Sequence, residues 1–204
     1  MKLPIDPNSI KGFLDHEEGL ALYEKTLIYS KLGPCLEIGS YCGKSALYIG
    51  TATKLNKQTL FSIDHHRGSE EQQPGEDYCD PDLINDKGDG INTLPYFLET
   101  IKRSNLGDAI SPIISSSQEA SVNWQKDLAM VFIDGGHSQK AAMTDYLLWN
   151  KYLIPGGLLA IHDVFPDPED GGRPPFEIYN LAKKSGQFKE LPMIKSLAFL
   201  EKLK

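Results

Sequence analysis

Five short apolar runs alternate with stretches of helical spacing, and this alternation constrains the chain more than any other feature. The runs are residues 35–38, 60–63, 110–114, 128–133 and 158–161. Around them, residues 12–31, 44–55, 92–104, 118–124, 137–152 and 176–184 read as helices. In 12–31 the apolar positions are Leu20, Leu22, Tyr23, Leu27 and Ile28. Pro155 with Gly156-Gly157 reads as the stop of the helix over 137–152. Strands joined through helices run parallel, with right-handed crossovers. The early runs are continuously apolar, as expected of strands covered on both faces. Two further runs, 188–191 and 196–201, lie too close together for a helical crossover. They form an antiparallel hairpin or pair through an adjacent edge. The expected fold is α/β: a seven-stranded, mostly parallel sheet with an antiparallel C-terminal strand and helices on both faces.

With 204 residues the chain supports one sizeable core, so residues 1–204 read as a single domain. No uncharged apolar run approaches the ~18 residues of a membrane span. The N-terminal stretch lacks an apolar signal core, and the three cysteines, Cys35, Cys42 and Cys79, have no paired metal-ligand spacing. Reduced thiols in a cytoplasmic protein are therefore expected. The net charge of −7 gives no general attraction to phosphate backbones or anionic lipid, which argues against nucleic acid and membrane as partners.

In open parallel sheets, ligands bind beyond the carboxyl ends of the strands. Those ends are polar in this chain. The first strand ends in Glu37 and Gly39, the second in Asp64, His65 and His66, and the third in Ser115, Ser116 and Ser117. The fourth ends in Asp134, with His137 three residues on, and the fifth in His162 and Asp163. Four of the five histidines are thus expected on one rim, which marks it as the active site.

The segment LEIGSYCGKSAL (36–47) combines a strand, a glycine turn and a helix start. Gly39 and Gly43 allow positive φ and close approach of a ligand to backbone, and the helix start offers free N–H groups. Its GKS tail is not a phosphate-binding loop: that motif needs four residues between its glycines, and here three lie between them. The dinucleotide fingerprint GxGxxG also fails, because position 41 is Tyr. The wider spacing suits a nucleoside carrying an amino-acid tail.

On these residues the chain resembles class I S-adenosylmethionine (SAM) dependent methyltransferases, which are Rossmann-like. LEIGSYCGKSAL resembles the first motif of catechol O-methyltransferase-like enzymes. FIDGGHSQKAAMTDYLLWNKYLIPGGLLAIHDV (132–164) resembles more closely a bacterial group that includes macrolide sugar O-methyltransferases. The likeness runs from about residue 35 to the C-terminus. It implies that Glu37, Gly39, Tyr41 and Ser45 line the methionine end of SAM, with Gly43 completing the loop. It implies that Asp64 accepts hydrogen bonds from the ribose, that Ser117 and Gln118 contact adenine, and that Asp134 lies beside the methionine moiety. His137 takes the position of a general base.

SAM supplies an electrophilic methyl group, so the protein must position and deprotonate a nucleophile. A histidine near neutral pKa suits this, as does a divalent cation that lowers the hydroxyl pKa. The resemblance makes Asp134, His162 and Asp163 the metal ligands. Relatives offer oxygen ligands after the fifth strand, whereas His162 stands here, and imidazole favours manganese over magnesium. A second arrangement leaves His162 pointing away and transfer independent of metal. For His65 and His66 two arrangements stand: one stacks near adenine while the other is solvated, or one of them lies over the transfer centre as a second base or metal ligand.

The loop over 65–90 is too long for an ordinary connection. Its eight acidic residues against Arg67 and Lys87 leave −6 of the chain's −7. It reads as an acidic lid or an intersubunit arm, compatible with a homodimer, that favours a polar or cationic small-molecule acceptor. In a second loop, Arg173 would clamp a substrate carboxylate or pair with Asp167 or Asp170. The expected activity is O-methylation of a small polar metabolite or sugar-like hydroxyl. Metal-independent transfer, non-catalytic SAM binding and a nicotinamide oxidoreductase stand as alternatives.

Overall fold

The structure is a computed structural model and describes residues 2–203. Helix α1 (His16–Tyr29) precedes strand β1 (Cys35–Ile38), followed by α2 (Lys44–Leu55), β2 (Leu60–Asp64), α3 (Leu94–Arg103) and β3 (Ile110–Ile114). Then come α4 (Ser117–Ser121), β4 (Leu128–Ile133), α5 (Gln139–Trp149), β5 (Leu153–Ile161), α6 (Arg173–Lys184), β6 (Phe188–Ile194) and β7 (Leu197–Lys202). The seven strands form one sheet in the order β3-β2-β1-β4-β5-β7-β6. The first five are parallel. β7 pairs antiparallel with both β5 and β6.

Two apolar clusters cover the sheet, one per face. Leu22 of α1, Leu47 of α2, Phe97 of α3 and Phe132 of β4 meet on one side. Trp149 of α5, Ile178 of α6 and Val131 of β4 meet on the other. Helices therefore cover both faces, which explains why β1 and β4 are apolar at nearly every position.

Among the boundaries that differ from the sequence expectation, three have a plain local reason. Helix α1 begins at His16, not at 12, because the Asp15 side chain caps it and Glu18 returns to the Asp15 N–H in a capping box. Strand β5 begins at Leu153, so Pro155-Gly156-Gly157 lies within it. Between the Leu128–Leu153 and Met130–Leu158 pairs, β5 has the longer path, and the irregularity absorbs its extra residues. Helix α6 begins at Arg173, since Pro174 and Pro175 occupy its first turn, where no N–H is needed.

The last rungs of the parallel ladder set the rim. Gly39 N donates to Ile63 O (3.0 Å), Asp134 N to Ile38 O (2.9 Å), His162 N to Ile133 O (3.1 Å) and Ser115 N to Asp64 O (3.2 Å). Each residue thus leaves the sheet at one level, and the chain reverses its winding between β1 and β4. Only glycine serves at position 39. Its φ is +86°, and an added Cβ would lie 2.0 Å from the Asp134 carbonyl oxygen.

The 65–90 segment is ordered by short 3₁₀ turns at Glu70–Gln72 and Pro81–Leu83, by an isolated bridge from Ile84 to Ile91, and by burial of Leu83 and Ile91. The residues before α1 cross it: Lys11 Nζ lies 2.6 Å from Asp80 and 2.8 Å from Asp82, and Phe13 stands against Tyr41 and Tyr78.

Candidate active site

A cavity of about 680 Å³ opens along the carboxyl ends of the strands, a size that suits a small ligand. Gly39, Tyr41, Ser45, Asp64, His65, Ser117, Gln118, Asp134, His137, His162 and Asp163 line it. Three residues expected to touch ligand, namely Glu37, Gly43 and His66, lie outside that lining.

Glu37 sits beneath the glycine loop, fully buried, bonded to the hydroxyls of Ser45 (2.9 Å) and Ser62 (2.5 Å). Burial pushes its carboxyl up to about 8 against the help of those hydroxyls. It holds Ser45 in place from below. Gly43 caps α2 with φ +90°, and its face packs on Phe97 and Thr100 of α3. His66 has φ +59° and turns inward. Its Nδ1 lies 2.8 Å from Thr93 Oγ1, and its ring stacks at 5.0 Å on Phe97. Burial holds its pKa below the ordinary histidine value. His65, one residue earlier, is exposed and faces the cavity, where its Nδ1 accepts from the Arg67 N–H (3.1 Å).

Asp64 shapes the loop that would hold the ligand. Its Oδ2 accepts from the N–H groups of Ser40 (3.0 Å) and Tyr41 (2.9 Å), and its Oδ1 from that of His66 (2.7 Å). At the next strand end, Ser116 caps α4, and Ser117 Oγ accepts from Trp149 Nε1 (2.8 Å). Gln118 extends into the cavity beside them. Asp145 of α5 lines the same wall, with a carboxyl raised by burial to about 6. Sequence reading did not single it out, because it lies mid-helix in an ordinary pattern.

The ends of β4 and β5 bring the chemistry together. Oxygens of Asp134 and Asp163 and a nitrogen of His162 lie within 4.8 Å of one another. His162 Nδ1 is 2.8 Å from Asp134 and 3.4 Å from Asp163. His137 Nε2 lies 3.1 Å from Asp163, while its Nδ1 is 3.5 Å from Glu71 of the 65–90 loop. Asp163 has φ +55°, a left-handed conformation that costs free energy and that aspartate tolerates better than most. Its carboxyl is held well below the usual range: burial opposes ionisation, and His137 and His162 outweigh burial. Burial raises Asp134 against the pull of His162. His137 is raised by its bond to Asp163, and His162 by its carboxylate neighbours despite its burial.

The far side of His162 was not legible in the sequence. Its Nε2 lies 3.0 Å from Glu18 of α1, a residue only 3% exposed. The signal at Glu18 is that of a helix cap, and its partners are 144 and 178 positions away. Two carboxylates and one imidazole nitrogen, with the second nitrogen on a buried carboxylate, form a donor set that fits a divalent cation of the manganese or zinc type. Arg173 neither clamps the cavity nor pairs with Asp167 or Asp170. Its Nη1 donates to the Phe165 and Pro166 carbonyls, and its guanidinium stacks on Phe176.

Residues 36–164 match the family described as Methyltransferase domain, more than half of the chain. The chain belongs to this methyltransferase family. Solved structures with the same fold include an O-methyltransferase from Bacillus cereus in complex with S-adenosylhomocysteine (SAH). It is 14% identical, with a TM-score of 0.64, and the match covers 97% of this chain and 86% of that one. The O-methyltransferase TomG from Streptomyces achromogenes, involved in tomaymycin synthesis and in complex with SAM, is 13% identical with a TM-score of 0.61. There the match covers 94% of this chain and 82% of that one. SAH-bound PaMTH1 from Podospora anserina is 13% identical with a TM-score of 0.64, over 94% and 80% of the two chains. At such identities the likeness shows the fold. Fold and family together make this a class I SAM-dependent methyltransferase. Among the described residues, no helix of this methyltransferase is long and apolar enough to cross a membrane.

Proposed function

We propose that this methyltransferase transfers the methyl group of SAM to a hydroxyl oxygen of a small polar acceptor, with His137 as general base. The observation that carries this reading is the position of His137. Its Nε2 is 3.1 Å from Asp163, on the cavity that the glycine loop and the β3 serines share. In the bound state, Gly39, Tyr41 and Ser45 surround the methionine end, Asp64 meets the ribose, and Ser117 and Gln118 meet the adenine. His65 lies on the same wall.

A hydroxyl of high pKa attacks a methyl group poorly until its proton is drawn off. His137 accepts that proton as the oxygen–methyl bond forms and the methyl–sulfur bond breaks. SAM becomes SAH, the acceptor becomes a methyl ether, and the proton on His137 passes to solvent. Asp163 orients the ring and steadies its charged form. The 65–90 loop covers the acceptor side, and its acidic face, Glu71 included, favours a polar or cationic acceptor over a phosphorylated one.

Asp134, His162 and Asp163 would hold a divalent cation, manganese rather than magnesium, which lowers the acceptor's hydroxyl pKa when bound. A second reading rests on one observation: both His162 nitrogens lie within hydrogen-bond reach of carboxylates. A doubly bonded imidazolium would then supply the positive charge without metal. Treatment with EDTA separates the two. Loss of methyl transfer, restored by manganese, is expected; full activity after EDTA would discard the metal-assisted version.

The test of the reading as a whole is His137→Ala, assayed as SAH formation across a panel of hydroxylated acceptors. A loss of about 10²- to 10⁴-fold in kcat is expected, with SAH binding retained. Unchanged turnover would remove His137 as the base.

A further inference from the structure

We propose that Glu18 is a positioning residue of this site: it accepts a hydrogen bond from His162 Nε2–H and so leaves the Nδ1 lone pair for a cation that Asp134 and Asp163 would share. The proposal rests on the metal-assisted reading above and specifies how this chain prepares its one nitrogen ligand.

A neutral imidazole carries one N–H and one lone pair, and its neighbours decide which nitrogen holds which. Asp134 and Asp163 alone would draw the proton to Nδ1, the nitrogen that faces them at 2.8 and 3.4 Å. Glu18 offers a competing acceptor 3.0 Å from Nε2. It is built to stay there. Its Oε1 accepts from both the backbone N–H (2.9 Å) and the hydroxyl (2.8 Å) of Ser196, in the turn between β6 and β7. Its Oε2 accepts from the Asp15 N–H as part of the α1 cap (3.3 Å). Glu18 and His162 are 3% and 5% exposed, so water does not compete for the contact. A carboxylate behind a ligating histidine fixes its ring and makes it a better donor.

The decisive variant is Glu18→Gln. The Ser196 backbone offers only an N–H, so the glutamine oxygen must face it and the amide NH₂ must face His162. Nε2 would then have to accept, and the proton would move to Nδ1. Manganese(II) binding to the whole protein, read by electron paramagnetic resonance, should weaken by about 10- to 100-fold in Glu18→Gln. SAH affinity should be unchanged, and Glu24→Gln, at an exposed position of the same helix, should bind manganese like the parent. Equal manganese affinity in Glu18→Gln and parent would overturn the proposal. So would an equal loss in Glu24→Gln, which would reduce the effect to α1 as a whole. Should Glu18→Gln not fold, the parent alone still decides. Electron spin echo modulation from a directly bound nitrogen is expected in its manganese complex, and absence of that modulation overturns the proposal. A parent that binds no manganese at all would fail the metal-assisted reading and the proposal with it. A parent that binds manganese while Glu18→Gln binds it equally well would fail the proposal alone.

Discussion

Glu37 shows how much a single buried carboxyl can impose on this molecule. Its folded pKa is raised to about 8 by burial, against an ordinary value of 4.5. Between those values the unfolded chain has released a proton that the folded chain keeps. Stability therefore falls with rising pH across this window, by up to about 1.4 kcal/mol per pH unit. Glu37→Gln does not titrate. Relative to the parent, its unfolding free energy should rise from about pH 5 to about pH 8 and then level off, as read by urea unfolding. Parallel curves would mean that Glu37 ionises freely in the fold. The same residue marks the reach of sequence reading. Strand-end logic brought Asp64, His65, Asp134, His137, His162 and Asp163 to one cavity, because backbone ladders set where each strand stops. It misplaced Glu37 and His66, because neighbours on a chain can face opposite ways. His65 looks into the cavity, whereas His66, in a left-handed conformation, looks into the core.

At the level of elements, the 65–90 loop is held by the segment before α1 rather than free. Lys11 bridges Asp80 and Asp82 with its side chain 32% exposed. Such partly exposed pairs contribute about 0–1 kcal/mol. Lys11→Ala should therefore leave the melting temperature nearly unchanged. It should speed protease cleavage within 65–90 by up to about fivefold, the equivalent of ~1 kcal/mol in local opening. An unchanged cleavage rate would show that the pair does not restrain the loop. Element order and type were legible because apolar period and punctuation agree along most of the chain. Legibility failed where a familiar signal had a second use. Pro155-Gly156-Gly157 reads as a stop yet forms the irregular stretch inside β5, and Pro174-Pro175 reads as a loop yet starts α6.

The whole molecule should respond to its cofactor as one unit. SAH at 100 times its Kd should add about 2.7 kcal/mol, which for a domain of this size raises Tm by roughly 5–10 °C. No shift with SAH or SAM would mean that the cavity is shaped for something else. The site also draws on distant parts of the chain. Ser196 lies 178 positions from Glu18, and its backbone N–H holds the carboxylate that faces His162. Ribosomal synthesis delivers these parts in order. A nascent chain released as far as Asp163 already holds Asp134, His137 and His162, but not the turn that pins Glu18. Closing so long a loop is also a slow kind of contact to form. The proposed reaction centre would thus be complete only after the polypeptide has passed residue 196, and a copy terminated earlier would carry the ring of His162 without the contact that holds Glu18 against it.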